Sequence, residues 1–217
     1  MTITAQSIVK EVQEQLQDLE GTRWGAPELV AHLNDGQREI ATIRPDLYAT
    51  MLTMPLLPGS RQALPDQCIN LMDVIRNTDG PAVQETDRKL LDLLNPSWYT
   101  KSGAALVVNY CYDSRDPYVF YVYPPALAGS SVDAVCSVMP EDIAIPSGSP
   151  YSSVTGGITG KDTCKNPLIH FVLFRAFAKD AEYGGNVSLS AAHYQMFTSL
   201  LTLDFSTKQA VKPASGK

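Results

Sequence analysis

Histidine, cysteine and tryptophan are scarce in this chain, with three, four and two copies. Each scarcity removes a class of chemistry. The cysteines Cys68, Cys111, Cys136 and Cys164 are far apart and form no Cys-x-x-Cys pair, so neither a zinc knuckle nor a redox motif is spelled out. Three of them sit in or beside apolar, β-like segments, where a thiol behaves as a small hydrophobe. The histidines His32, His170 and His193 fall on expected helices, and none has a ligand-type partner at i+4. No apolar run approaches the ~20 residues of a membrane span. The first residues, Met-Thr-Ile-Thr-Ala-Gln, lack the basic-then-apolar pattern of an export signal, which leads to an expectation of synthesis in a cytoplasm. Basic residues are outnumbered, 17 Lys and Arg against 23 Asp and Glu, for a formal charge of −6. That balance argues against a protein that grips nucleic acid by neutralising phosphates.

Catalytic patterns are equally thin. No Gly-x-Ser-x-Gly elbow occurs, and no pair of carboxylates stands apart from the solvated acids. Gly156-Gly157-Ile158-Thr159-Gly160-Lys161-Asp162 resembles a phosphate loop only superficially. Thr155 stands where the first glycine belongs, and Asp162 replaces the hydroxyl that would hold magnesium. Asp113 and Asp116 read as turn residues. No cofactor and no metal site is therefore expected, and no enzyme.

What is present is architecture. Ile8, Val12, Leu16 and Leu19 make a stripe on a first helix that stops near Gly21. Pro27 opens a second helix, where the first turn has no use for the missing N–H, with Leu29, Leu33, Gly36, Ile40 and Ile43 on one face. Arg44-Pro45-Asp46 ends it. From residue 48 to about 142 the helical period gives way to β character, with strands expected at 48–57, 106–112, 118–123 and 132–138. Tyr118, Tyr121 and Tyr123 read as strand packing. Residues 71–76 and 90–94 suit either a strand or a short helix. The stretch 147–161 is a long polar loop, of a length that is usually functional or mobile. Asn166-Pro167 then suggests a helix start, with Ile169, Val172, Leu173, Ala176 and Phe177 buried and Gly184-Gly185 ending it. A last helix capped by Ser188 would bury Leu189, Ala192, Met196, Leu200 and Leu203.

The expected fold is α+β: a four-helix bundle of N- and C-terminal helical hairpins (1–46 and 165–204) carrying a β-rich antiparallel sheet or sandwich insertion (47–164). Residues 205–217 contain Lys208, Lys212 and Lys217 and no acid, and read as a flexible basic tail.

Several blocks in this order carry a family resemblance. They include Trp24, Glu28-Leu29 and Leu33-Asn34-Asp35-Gly36-Gln37-Arg38-Glu39-Ile40, then Arg44-Pro45-Asp46 and Gly59-Ser60-Arg61-Gln62-Ala63-Leu64-Pro65. Leu71-Met72-Asp73-Val74-Ile75-Arg76, Leu91-Asp92 with Trp98, and Asp116-Pro117 with Phe120-Tyr121-Val122-Tyr123-Pro124-Pro125 follow. The last block runs from Leu173-Phe174-Arg175-Ala176-Phe177 to Tyr183. The chain thus resembles the head-to-tail adaptor, or head–tail connector, proteins of short-tailed and related phages. The resemblance spans most of residues 8–203.

It implies a structural virion protein of the neck, made in the host cytoplasm and acting as a portal-binding ring, usually a dodecamer. Assembled on the portal after DNA packaging, such a ring extends the DNA channel used in ejection and docks the next tail or nozzle protein. DNA would pass through its lumen without specific binding, and no membrane is involved. Within that reading Phe205, Lys208 and Lys212 are the expected portal contacts. Ser147, Gly156, Gly157, Gly160 and Lys161 mark the expected lumen or tail-docking loop. Two other readings stay open. A tail terminator or tail-completion ring would use an α/β layout, and a small hydrolase would show a pocket with a shifted carboxylate or histidine.

Overall fold

The computed structural model describes residues 3–179 and 184–210, with side chains up to residue 202. In chain order the elements are α1 (Ala5–Gln15), α2 (Ala26–Ile43), β1 (Ala49–Pro55), β2 (Gly59–Ala63), β3 (Cys68–Asn77), β4 (Gln84–Glu85), α3 (Arg88–Leu94), β5 (Asn109–Tyr112), β6 (Val119–Ala126), β7 (Ser131–Val138), α4 (Lys165–Lys179) and α5 (Gly184–Ala210). Terminal helices flank a β-rich region, and the fold is α+β. The chain divides into two compact units, one from Tyr48 to Met139 and the other holding everything before and after it.

In the helical unit, Thr4 caps α1 by accepting the Ser7 N–H on its hydroxyl, and Ile8, Val9 and Val12 are buried. Gln17 takes φ 55° and stops the helix. The Asp18 carboxylate then accepts the N–H groups of Thr22, Arg23 and Trp24, each at 2.8 Å, which shapes the turn into α2. Gly21 is required there: its φ is 64°, and a Cβ would lie 2.3 Å from the Ser149 carbonyl oxygen. Gly36 lets α2 approach α4 closely, because a Cβ would meet Phe171 Cδ1 at 2.8 Å. The helix α4 is central and packs against α1, α2 and α5. It starts at Lys165, ahead of the expected Asn166 cap, after a 3-10 turn at Asp162–Cys164.

Several side chains depart from the expected faces. Leu19 and Ile43, read as stripe residues, are 46% and 44% exposed because each falls at or past the end of its helix. In α5 the packed line is Ser190, Phe197 and Leu201, while Leu189 and Met196 are 45% and 48% exposed. Periodicity misreads this helix because Gly184 to Leu203 contains no Asp, Glu, Lys or Arg to mark the wet side. It begins at Gly184, before Ser188, and continues to Ala210 through the first part of the expected tail.

The β unit holds two sheets. One has the order β1-β7-β3, the other β2-β6-β5-β4. Between them lies a core that includes Leu71, Val74, Phe120, Val122, Val132, Ala134 and Cys136. Strand β3 pairs with β7 through register shifts between Cys68/Asn70, Leu71/Asp73 and Val74/Arg76. Those extra residues give it a burial period near three rather than two, which is why 71–76 could not be assigned from alternation. Residues 90–94 fall in α3, which buries none of its side chains. Trp98, just beyond it, is fully buried, donates from Nε1 to Asp92 Oδ1 at 2.8 Å and stacks on Tyr99. Tyr121 and Tyr123 meet Trp98 edge-on, whereas Tyr118 is 62% exposed.

Candidate functional site

The loop 147–161 is the first candidate, and its backbone is pinned rather than loose. Three buried amides on α1 and α2 hold the segment that contains it. Gln13 donates to the Ser149 carbonyl at 3.1 Å and accepts the Tyr151 N–H at 2.9 Å. Asn34 donates to the Ile143 carbonyl and accepts the Ile143 N–H, both at 2.9 Å. Gln37 accepts the Thr159 N–H at 3.0 Å. Arg38 pairs with Asp142, and the Ala5 N–H donates to the Gly156 carbonyl at 3.0 Å. Val154 and Ile158 are buried as apolar anchors. The segment is thus a strap over the helices, and residues 140–164 group with the helical unit although the sequence placed them with the β insertion. Of the expected loop residues, Ser147, Gly156, Gly157 and Lys161 are exposed and Gly160 is half-buried. Nothing in the sequence signalled the three amides, because each partner is more than 100 residues away.

The expected portal contacts are reached only in part. Phe205 and Lys208 have their backbone in α5, but their side chains lie outside the described residues, as does Lys212 altogether.

A cleft of about 620 Å³ opens in the β unit beside α3, lined by Glu85, Arg88, Cys111, Asp113, Arg115 and Tyr121 among others. Two of its side chains are shifted away from the neutral range. Hydrogen bonds from Arg115 hold the Asp113 carboxyl down at about 2, and burial pushes the Cys111 thiol up to about 11. A thiol this basic is a poor nucleophile, and a carboxylate this acidic is a poor proton carrier at pH 7. Burial also drives Cys136 up to about 12, and all four cysteines are free and buried. Among the described residues no three His, Cys, Asp or Glu side chains gather as a metal-ion site.

The histidines behave as packing groups. His170 on α4 and His193 on α5 meet at Nδ1···Nδ1 2.9 Å, and His193 stacks on Phe177. Burial lowers the pKa of both, and that of His32. The pair bridges two helices from positions 23 residues apart, a contact that neither position shows by itself.

The remaining candidates are surfaces. The α5 flank of Leu189, Ala192, Met196 and Leu200 carries no charge and leaves Leu189 and Met196 about half exposed. A face of this kind, on a stretch of helix from Gly184 to Leu203 with no Asp, Glu, Lys or Arg, is built to be covered.

A family model described as the SU10 adaptor protein matches residues 3–214. The chain belongs to the SU10 adaptor protein family. Its match takes in both units, so the adaptor role attaches to the helices and the sheets together. Membership makes this a phage adaptor and points to a structural rather than an enzymatic role. No curated protein sequence matches the adaptor.

Proposed function

We propose that this adaptor is a neck component of the virion, bound beneath the portal as a closed ring and docking the tail protein below. The observation that carries the reading, beyond family membership, is the uncharged and half-exposed α5 flank. A subunit with such a face is incomplete alone. When that face meets a different surface on the next copy, the contact repeats until it closes. Twelve copies is the stoichiometry proposed. The acidic balance of the chain, −6 overall, suits a channel, because negative walls do not trap phosphates sliding through during ejection. DNA passes through without sequence-specific contacts.

The basic C-terminal residues Lys208 and Lys212, with Phe205 as an apolar anchor, are assigned to the portal. The strap residues Ser147, Gly156, Gly157, Gly160 and Lys161 are assigned to the lumen or the docked tail protein. Synthesis in the host cytoplasm and assembly after packaging complete the reading.

The test is reconstitution with the portal ring of the same phage. Wild type is expected to decorate the portal as a closed ring in electron micrographs, and a Lys208→Glu/Lys212→Glu variant to lose most of that binding. If wild type does not associate with the portal at all, the reading is wrong. If both bind equally, the portal contact lies elsewhere.

A further inference from the structure

Each of the two open sheets has two outer edges, and three of the four are blocked. Strand β3 carries its register shifts, and residues 81–83 turn back on it: the Val83 N–H donates to Ile75 at 3.1 Å and Asn77 donates to Pro81 at 3.0 Å. Strand β2 is five residues long, has a register shift and bears Arg61. Strand β4 has two residues. Short length, bulges, charge and covering segments are the usual means by which sheets refuse a foreign strand.

Strand β1 has almost none of these. It runs for seven residues in unbroken register with β7, and no charged side chain lies between Tyr48 and Ser60. The direction of its backbone groups follows from one bond. The Leu56 N–H donates to the Ser130 carbonyl at 2.8 Å, in the same register that pairs Ala49 with Ser137. Antiparallel ladders alternate. Thr50, Leu52 and Met54 therefore bond toward β7, while Ala49, Met51 and Thr53 turn their N–H and C=O groups outward. Among the described residues no backbone hydrogen bond ends on the outward N–H of those three. Met51 is 63% exposed beside them. Pro55, at the strand's end, has no N–H and is the edge's one protection.

We infer that the β1 edge receives an extended, uncharged segment of the docked tail protein as an added strand. The inference rests on the neck reading above. An edge of Ala, Thr, Met and Leu side chains offers a charged strand no ion-pair partner and packs best against apolar and hydroxyl side chains, while backbone bonds supply the affinity. Among the described residues a second copy of the adaptor offers one free sheet edge, β1 itself. Pairing β1 with β1 is a two-fold contact, which closes a dimer and cannot propagate round a ring. The portal is assigned to the basic C-terminal residues, which leaves the tail protein as the strand donor.

Amide hydrogen exchange resolved to single residues tests this on the full chain alone, with the portal ring, and with portal plus tail protein of the same phage. Met51 and Thr53 amides are expected to exchange freely until the tail protein binds, then to slow by about a hundredfold or more. Thr50 and Leu52 are expected to be protected throughout. Met51→Pro deletes an outward donor and no bond to β7. It is expected to fold and bind the portal normally while losing at least tenfold in tail affinity, and Met51→Lys to do the same by charge. A tail complex that leaves Met51 and Thr53 unprotected overturns the inference while the adaptor reading stands. Protection that arises in the adaptor alone, with dimers, names a second copy as the occupant and also overturns it, as does protection on portal binding. A tail protein that does not bind under any condition removes the adaptor reading and the inference together.

Discussion

Asn34 shows how much a single side chain does in this adaptor. Its amide is 5% exposed and completes both hydrogen bonds of the Ile143 peptide group, acting as a strand of one residue. Asn34→Leu keeps the volume and orphans a buried donor and acceptor. The expected loss is about 2 kcal/mol or more, read as a fall of about 5 °C in a thermal melt. Asn34→Asp sets a buried carboxylate against the Ile143 carbonyl oxygen and is expected to cost at least as much. Gln13 works by the same logic on another part of the strap, donating to Ser149 and accepting from Tyr151, while Gln37 acts as an acceptor alone, for the Thr159 N–H. None of the three could be told from a surface amide by its sequence neighbours. The apolar anchors Val154 and Ile158 are as hard to read, because a lone apolar residue in a polar loop has no period.

The α4–α5 hairpin is held in part by its two histidines. Burial keeps the imidazoles of His170 and His193 below the ordinary value near 6.5, so the folded pair resists protons that the unfolded chain accepts. Stability is therefore full above about pH 6.5 and is lost as pH falls below it. Chemical unfolding at pH 7.5 and pH 5.5 is expected to show that loss. His193→Gln, which removes one of the two titrations and keeps a polar side chain, should flatten the slope. The helices themselves were readable, because Pro27, Gly21 and Arg44-Pro45 punctuate them. The strand β3 was not, since a residue inserted at each bulge erases the alternation that defines a strand.

At the scale of the proposed ring, the surface to test is the α5 flank. Leu189→Glu/Met196→Glu changes two half-exposed side chains. Exposed substitutions of this kind shift folding stability by about 0.5 kcal/mol or less. The double variant is thus expected to unfold like wild type and to fail to form rings on the portal. Rings of normal size in electron micrographs would exclude this flank as the contact between copies.

Composition, charge and the α-α, β, α-α order of the chain were determined by the sequence alone, because periodicity and turn chemistry act over a few residues. So was the family resemblance, which depends on the order of blocks. The tertiary structure decided what no local pattern encodes: which side of the charge-free first part of α5 packs, how three amides tie a strap down, and which of four sheet edges is left open. Each of those depends on partners brought together from distant parts of the chain.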